Sequence, residues 1–417
     1  MMNDVLSADA LASPKTFGDP DRVRALYARL RREEPLARAE PQGYRPFWVL
    51  TRHADIQAVE RDPETYAAGT RTVLIPEKVE AIYRAKYGDP NGPKPLTHMD
   101  GLHHHQHRAV TLEWFSRKNL GEFEALIAGI AKEFVDRMED MGGSCDFAAD
   151  IAYWYPLRVV MTLLGVPKED EPEVLRMTQR LFSPADKQLG NRREGSAEGQ
   201  GTRDVLDDFR SYFDVLTEDR RAKPRNDIAT TLANGQVGGC PMAGHERLSY
   251  YVIVATAGHD TTAASIGGGM QGLLEFPDEM EKLRGNLGLL GTAAEEFVRW
   301  TAPVKHFMRT PRKPVEWHGT TIPAGDTIML AFASACRDEA VFEEPDRLRV
   351  DRSPNPHLAF GIGPHFCLGK YLAKMEIEAF YRELLPRLKH IEPAGSPSFV
   401  ESAFVSGLKT LPVSYRF

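Results

Sequence analysis

The segment HLAFGIGPHFCLGKYLAKMEIEAF, residues 357–380, constrains this chain more than any other stretch. Cys367 stands among Gly361, Gly363 and Gly369, directly before a run with helical character. Glycine tolerates positive φ and lets a backbone approach a flat cofactor closely. A cysteine at a helix N-terminus meets exposed N–H groups and the positive end of the helix dipole, which favour thiolate over thiol. A thiolate held by backbone N–H groups makes a stable, tunable metal ligand. Read alone, the residue also fits a buried structural cysteine at a strand-to-helix turn.

The rest of the chain predicts a mainly α fold with a small β part. Helical spacing dominates from Leu112 to about Val215, in EFEALIAGIAKEFVDRMEDM and more loosely in YWYPLRVVMTLL. Residues 248–273 read as one long apolar helix, with further helices at 279–284, 292–300 and 368–385. FWVLTRH at residues 47–53 reads as a strand, as do VEWHG, TTIP and DTIMLAF after Pro311. DIQAVERDPETY reads as a short helix broken at Pro63. Residues 70–99 carry Pro76, Pro90, Pro93 and Pro95 and read as an irregular, functional loop. Residues 183–202 are polar and Gly-rich and read as a mobile connection. With neither internal repeat nor Pro/Ser-rich linker, residues 1–417 are expected to form a single domain.

Composition removes several function classes. Net charge is -7 with no Lys/Arg-rich run, so nucleic acid is not an expected partner. The four cysteines are far apart, without a CxxC pair, which argues against a secreted disulfide framework. Cys145 and Cys336 read as small buried hydrophobes and Cys240 as an exposed loop thiol. The N-terminal residues lack an apolar signal region, and no uncharged stretch reaches the length of a membrane span. A soluble, cytoplasmic protein with no membrane partner is expected.

Three further constellations carry potential chemistry. Glu296 and Arg299 lie one turn apart; as a surface pair they would contribute well under ~1 kcal/mol. His104 and Arg108 share a helix face and suit an anionic group. His103 and His107 share another face, but two ligands without a third do not make a zinc site. His103, His105 and His107 are therefore read as a solvated face. In AGHDTT, residues 257–262, an acid and two threonines interrupt an apolar helix, a costly arrangement unless it is used. Gly258 weakens that helix by ~1 kcal/mol relative to alanine.

The decamer FGIGPHFCLG resembles the haem-binding loop of the cytochromes P-450, written FGxGxHxCxG. Phe360, Gly361, Gly363, His365, Cys367 and Gly369 match every fixed position. The resemblance implies a triangular-prism fold with haem b between the long central helix and the cysteine-loop helix. It implies Cys367 as the axial iron ligand, His365 on a propionate, and Phe360 beside the thiolate, with Gly361 and Gly369 giving close approach. EFVR is similar to the family's ExxR pair, which makes Glu296 and Arg299 structural, with Arg349 or Arg352 as their partner. MDGLHHHQHR is similar to DPPxHxxxR: Asp100, His104 and Arg108 match, whereas Gly101 and Leu102 replace two prolines. Arg309 matches a second propionate-binding arginine.

Asp260 and Thr261 match the family's acid–alcohol pair. A hydroxyl there hydrogen-bonds activated dioxygen and a carboxylate relays protons from solvent, while the thiolate pushes electron density that favours O–O cleavage. The pair implies a monooxygenase that uses dioxygen and external electrons rather than peroxide. TAGHDTT, VRWTAPVKHFMRT and YWYPLRVVMTLLGVPKEDEP resemble the terpineol-hydroxylating enzymes; relatives at similar distance oxidise aromatic hydrocarbons. The implied substrate contacts are Ile253, Ala257, Thr261, Val304, Phe307, Phe404 and Val405, with Val73, Leu74 and Ile75 from the 70–99 loop. The implied electron source is an iron–sulfur ferredoxin with its reductase and NAD(P)H, docking near Lys118, Lys370 and Lys374. A non-catalytic haem-binding gas sensor and a redox-independent haem-thiolate isomerase are the alternatives. The sensor would not need the Asp260–Thr261 pair, and the isomerase would need no electrons.

Overall fold

Apolar spacing in the Glu124–Asp140 helix buries Ile127, Ile130, Phe134 and Met138 along one stripe. That stripe packs on the Lys370–Arg387 helix, which buries Leu372, Ile377, Phe380 and Leu384 in return. The computed structural model describes residues 7–91, 94–182 and 200–417. Its largest core cluster joins these helices to Trp154–Leu164 and Leu290–Thr301.

The long apolar helix is two helices, Gly244–Ala257 and Asp260–Glu275, separated at Gly258 and His259. A Cβ on Gly258 would lie 2.6 Å from the Val254 carbonyl and 3.0 Å from the Val160 side chain. The break therefore lies where Trp154–Leu164 comes too close for any side chain. Downstream, a Cβ on Gly269 would sit 2.7 Å from the Phe297 ring, so glycine lets the Glu296 helix press against this one.

The β part is small. A five-stranded sheet runs in the order Leu36–Ala39, Phe47–Leu50, Ile328–Ala331, His306–Pro311, Tyr66–Ala67. Only the Phe47–Leu50 and Ile328–Ala331 pairing is parallel. In His306–Pro311 the period of two sends Phe307 and Arg309 to one face and Met308 to the other. Met308 joins the core cluster of the N-terminal helix.

Four expectations change. Within residues 70–99, EKVEAIYRAKY folds as the helix Glu77–Tyr87, between Pro76 and Gly88, the latter at φ +70°. It has acids in its first turn and bases in its last, matching the helix dipole. Of the expected connection 183–202, residues 183–199 lie outside the described residues, and the helix Gln200–Ala222 begins inside it. Cys145 is half-buried in the strand Ser144–Asp146, although Cys336 is buried and Cys240 exposed as expected. His107 is buried, whereas His103 and His105 are exposed, because the helix packs its His107 face inward. Among the described residues, no helix is long and apolar enough to cross a membrane.

Candidate active site

A cavity of about 800 Å³ opens between the broken helix, the cysteine loop and the strand His306–Pro311, within the range of small-molecule sites. Ile253, Ala257 and Thr261 line it from the broken helix, and Val304 and Phe307 from the segment after the Glu296 helix. Phe404 and Val405 close another side, with the Phe404 ring 5.4 Å from that of Phe307 and Val405 bridged to Val304. Val73, Leu74 and Ile75 complete it, so every position read as a substrate contact reaches this one cavity.

His306 holds two of these walls together. Its Nδ1–H donates to the Ala403 carbonyl at 3.0 Å, and its Nε2 accepts from the Leu74 N–H at 3.2 Å. Burial pushes its pKa down to about 4, so the ring serves as a neutral clasp.

The cysteine loop folds back on itself. The Cys367 N–H donates to the Phe360 carbonyl at 2.8 Å, and the Gly361 N–H to Leu358 at 2.8 Å. Gly361 and Gly363 have φ of +67° and +74°. A Cβ on Gly363 would strike the Glu60 carbonyl at 2.4 Å. Gly369 has ordinary φ but faces open space on the cavity wall. Its use is therefore room rather than backbone freedom. Burial pushes the Cys367 thiol up, opposed by the Gly369 and Lys370 N–H groups and the Arg108 guanidinium. Desolvation thus outweighs the helix terminus at this sulfur, and a bound metal ion is the kind of positive charge that stabilises a buried thiolate.

Basic groups crowd one end of the cavity: His98, His104, Arg108, Arg309 and His365 all line it. The rings of His104 and His365 lie 4.3 Å apart. Burial and then the nearby guanidinium groups push His104 down to about 4 and His365 to about 2. Arg108 donates to the Phe366 carbonyl at 2.7 Å. Arg309 pairs at 2.5 Å with Glu60, whose own pKa burial raises. The buried Nε2 of His104 has no hydrogen-bond partner. A cradle of basic groups with the His104 Nε2 unpartnered, beside a cavity-facing sulfur and a bare glycine, fits a flat, iron-bearing group with carboxylate arms.

Around the helix break, Thr261 faces the cavity and Asp260 does not. The Thr261 hydroxyl donates to the Ala257 carbonyl at 2.9 Å, which leaves its oxygen able to accept. Asp260 lies 2.9 Å from Nε2 of buried His259, whose Nδ1 faces the Ala255 carbonyl at 2.8 Å. Both ring nitrogens meet acceptors. Burial disfavours the charge, but the Asp260 carboxylate and Ala255 carbonyl outweigh it and raise the pKa. Two acceptors facing the ring thus favour a proton on each nitrogen of His259.

The Cytochrome P450 family model matches residues 284–417. Over 408 residues the chain is 40% identical to Cytochrome P450-terp of a Pseudomonas species, covering 96% of this chain and 95% of that one. This chain belongs to the cytochrome P450 family. The crystal structure of CYP108D1 from Novosphingobium aromaticivorans superposes with a TM-score of 0.90 at 37% identity, covering 98% of this chain and 97% of that one. A steroid C26-monooxygenase of Mycobacterium tuberculosis is 34% identical over 367 residues, covering 86% and 97%. Membership makes this protein a haem b-containing P450 monooxygenase.

The P450 chain buries its Glu296–Arg299 pair completely, which overturns the surface ion-pair reading. Arg299 meets both Glu296 oxygens at 2.7 and 2.8 Å. Arg352, rather than Arg349, completes the triad, its Nε 3.0 and 3.1 Å from Glu296. Arg349 contributes only its backbone N–H to Glu296 and points its side chain outward to Glu343. Arg299 and Arg352 then donate to carbonyls of Cys336, Glu343, Pro345 and Arg347, tying that loop down. Of the lysines, Lys118 is exposed and Lys370 lies 4.6 Å over the Phe366 ring. Lys374 is engaged by Glu295 at 2.8 Å. Sequence reasoning missed His98, which lines the cavity, His259, which pairs with its neighbour Asp260, and Glu60, which folding brings to Arg309.

Proposed function

We propose that this P450 hydroxylates a small to medium hydrophobic compound, a monoterpenoid or an aromatic hydrocarbon, using dioxygen and two electrons from an iron–sulfur ferredoxin. The ferredoxin is reduced by its reductase and NAD(P)H in the cytoplasm. One observation carries this reading: Cys367, Thr261 and the uncharged side chains of Ile253, Val304, Phe307 and Phe404 all line a single cavity. In it the Cys367 sulfur would hold the haem iron, and His104, Arg108, Arg309 and His365 would hold the propionates. Phe360, Gly361 and Gly369 give the ring its close seat. When bound, the haem supplies reductive activation of dioxygen, which the thiolate ligand promotes.

The protein residues handle protons and exclude water. Thr261 offers a hydroxyl on the cavity wall, and Asp260 behind it, paired with His259, relays protons toward it. Apolar walls exclude water and orient a substrate by shape rather than by charge. Lys118 and Lys370 present cationic groups for an acidic ferredoxin. The short turn Arg117–Leu120, which carries Lys118, packs against the helix that follows Cys367. Lys374 is withdrawn from that role by Glu295.

A monoterpenoid or alkylbenzene that enters the cavity is expected to shift the haem Soret band on titration. Charged or strongly polar compounds are expected not to. A panel in which only long-chain lipids or steroids shift the band would overturn the substrate class. Replacing Thr261 by alanine is expected to lower product formed per NAD(P)H consumed on the order of tenfold, with oxygen still consumed. Unchanged coupling, measured with a surrogate ferredoxin, would remove Thr261 from proton delivery. NAD(P)H-independent turnover would favour the isomerase instead.

A further inference from the structure

The helix Gly101–Leu112 turns a second face away from the haem cavity, and that face meets the start of the helix Gly244–Ala257. There His103, His107 and Glu246 come together, their ligand atoms all within 4.8 Å of one another. His107 is fully buried. Its Nδ1 lies 2.8 Å from the His103 carbonyl, an oxygen that can only accept, so Nδ1 carries a hydrogen. In the neutral ring the lone pair then resides on Nε2. That buried atom has no hydrogen-bond partner, yet stands 2.9 Å from Oε1 of Glu246. At that distance the two atoms are bridged by a proton, as in a His–Glu ion pair, or by a metal ion in the proton's place. Nε2 of His103 lies 3.7 Å from the same oxygen.

The surroundings orient the set. Oε2 of Glu246 accepts from the Ala243 N–H at 2.9 Å, which pins the carboxylate and leaves Oε1 for another partner. The His107 Nδ1–H to carbonyl bond is the type of outer contact that fixes a metal-binding histidine. Two histidines four residues apart plus one carboxylate from a second element form a three-ligand zinc pattern with an open position. Zinc bond lengths place tetrahedral ligands about 3.3 Å apart, so small movements, chiefly of exposed His103, close the site. We propose that His103, His107 and Glu246 bind one divalent transition-metal ion of the zinc class.

The ion would clamp the helix that carries His104 and Arg108 to the first turn of the helix that carries Thr256 and Ala257. Tyr250 already links the same pair, donating to the His107 carbonyl at 2.7 Å. Metal binding therefore stabilises the haem-facing helix from outside the cavity.

The test is calorimetric titration of Zn²⁺ alone into the chelator-treated, haem-loaded protein at neutral pH. One saturable equivalent is expected, together with a zinc-dependent rise in Tm. Exposed His103 can be replaced without disturbing the core, so His103→Ala is expected to keep its haem and weaken binding on the order of tenfold or more. Glu246→Gln, which preserves the Ala243 contact, is expected to do the same. Cys240→Ser and His105→Ala are expected to leave binding unchanged. No saturable binding would identify the trio as a proton-bridged ion pair and overturn the proposal. Binding undiminished in His103→Ala would place the ion elsewhere and overturn it equally.

Discussion

Replacing Glu296 by leucine is expected to abolish accumulation of folded, haem-loaded protein. Glu296 is the only acidic member of a buried cluster that holds Arg299 and Arg352. It also accepts from the Asn355 side chain at 3.1 Å and the Arg349 N–H at 2.9 Å. Removing one partner of a buried ion pair costs about 3–5 kcal/mol, because the other charge stays buried and unpaired. Here two guanidinium groups would be stranded. The total stability of a folded domain is about 5–15 kcal/mol, so the loss consumes a large share of it. The arginines also anchor the loop around Cys336 and Arg347, and that loop leads through Arg352 and Asn355 to the cysteine loop. The cheaper variant Glu296→Gln keeps the shape and loses the charge. It should fold in part, with a depressed Tm and low haem content. A glutamine variant with wild-type Tm and haem content would show that the triad contributes little to the fold.

Replacing Cys367 by serine is expected to lower monooxygenase turnover by roughly three orders of magnitude or more. Serine is nearly isosteric, and the loop is shaped by backbone bonds from Cys367 to Phe360 and from Gly361 to Leu358, which serine leaves intact. The fold should therefore survive, and the basic rim can still hold the propionates. What is lost is electron donation from sulfur. A serine hydroxyl in the same buried spot is harder to ionise than the thiol, whose pKa burial already raises. Activity should thus fall with haem content largely retained, which separates this effect from the stability loss at Glu296.

The legibility of the chain follows the range of its interactions. The cysteine loop was legible because its constraints are local: positive φ at Gly361 and Gly363, and room at Gly369, are written into ten adjacent residues. The Glu296–Arg299 spacing was legible as a pair, but not its burial. Choosing Arg352 over Arg349 required the folded loop. Glu60 and Arg309 lie on separate elements, and nothing near either one announces the other. His259 sat inside a motif already singled out, and its role appeared only with the Ala255 carbonyl and Asp260 arranged around it. The helix Glu77–Tyr87 was hidden by flanking prolines, although Pro76 caps its start and Gly88 ends it. For His107, helical spacing gave the shared face with His103. Only packing against the Glu246 helix showed that the face was half buried.

The account rests on Cys367 as the sulfur ligand of the haem. Its most direct test is the carbon monoxide spectrum of the dithionite-reduced protein, wild type beside Cys367→Ser. The wild type is expected to give the strongly red-shifted carbonyl band of thiolate-ligated haem, and the serine variant to lose it while still containing haem. Persistence of that band in the serine variant would contradict the account.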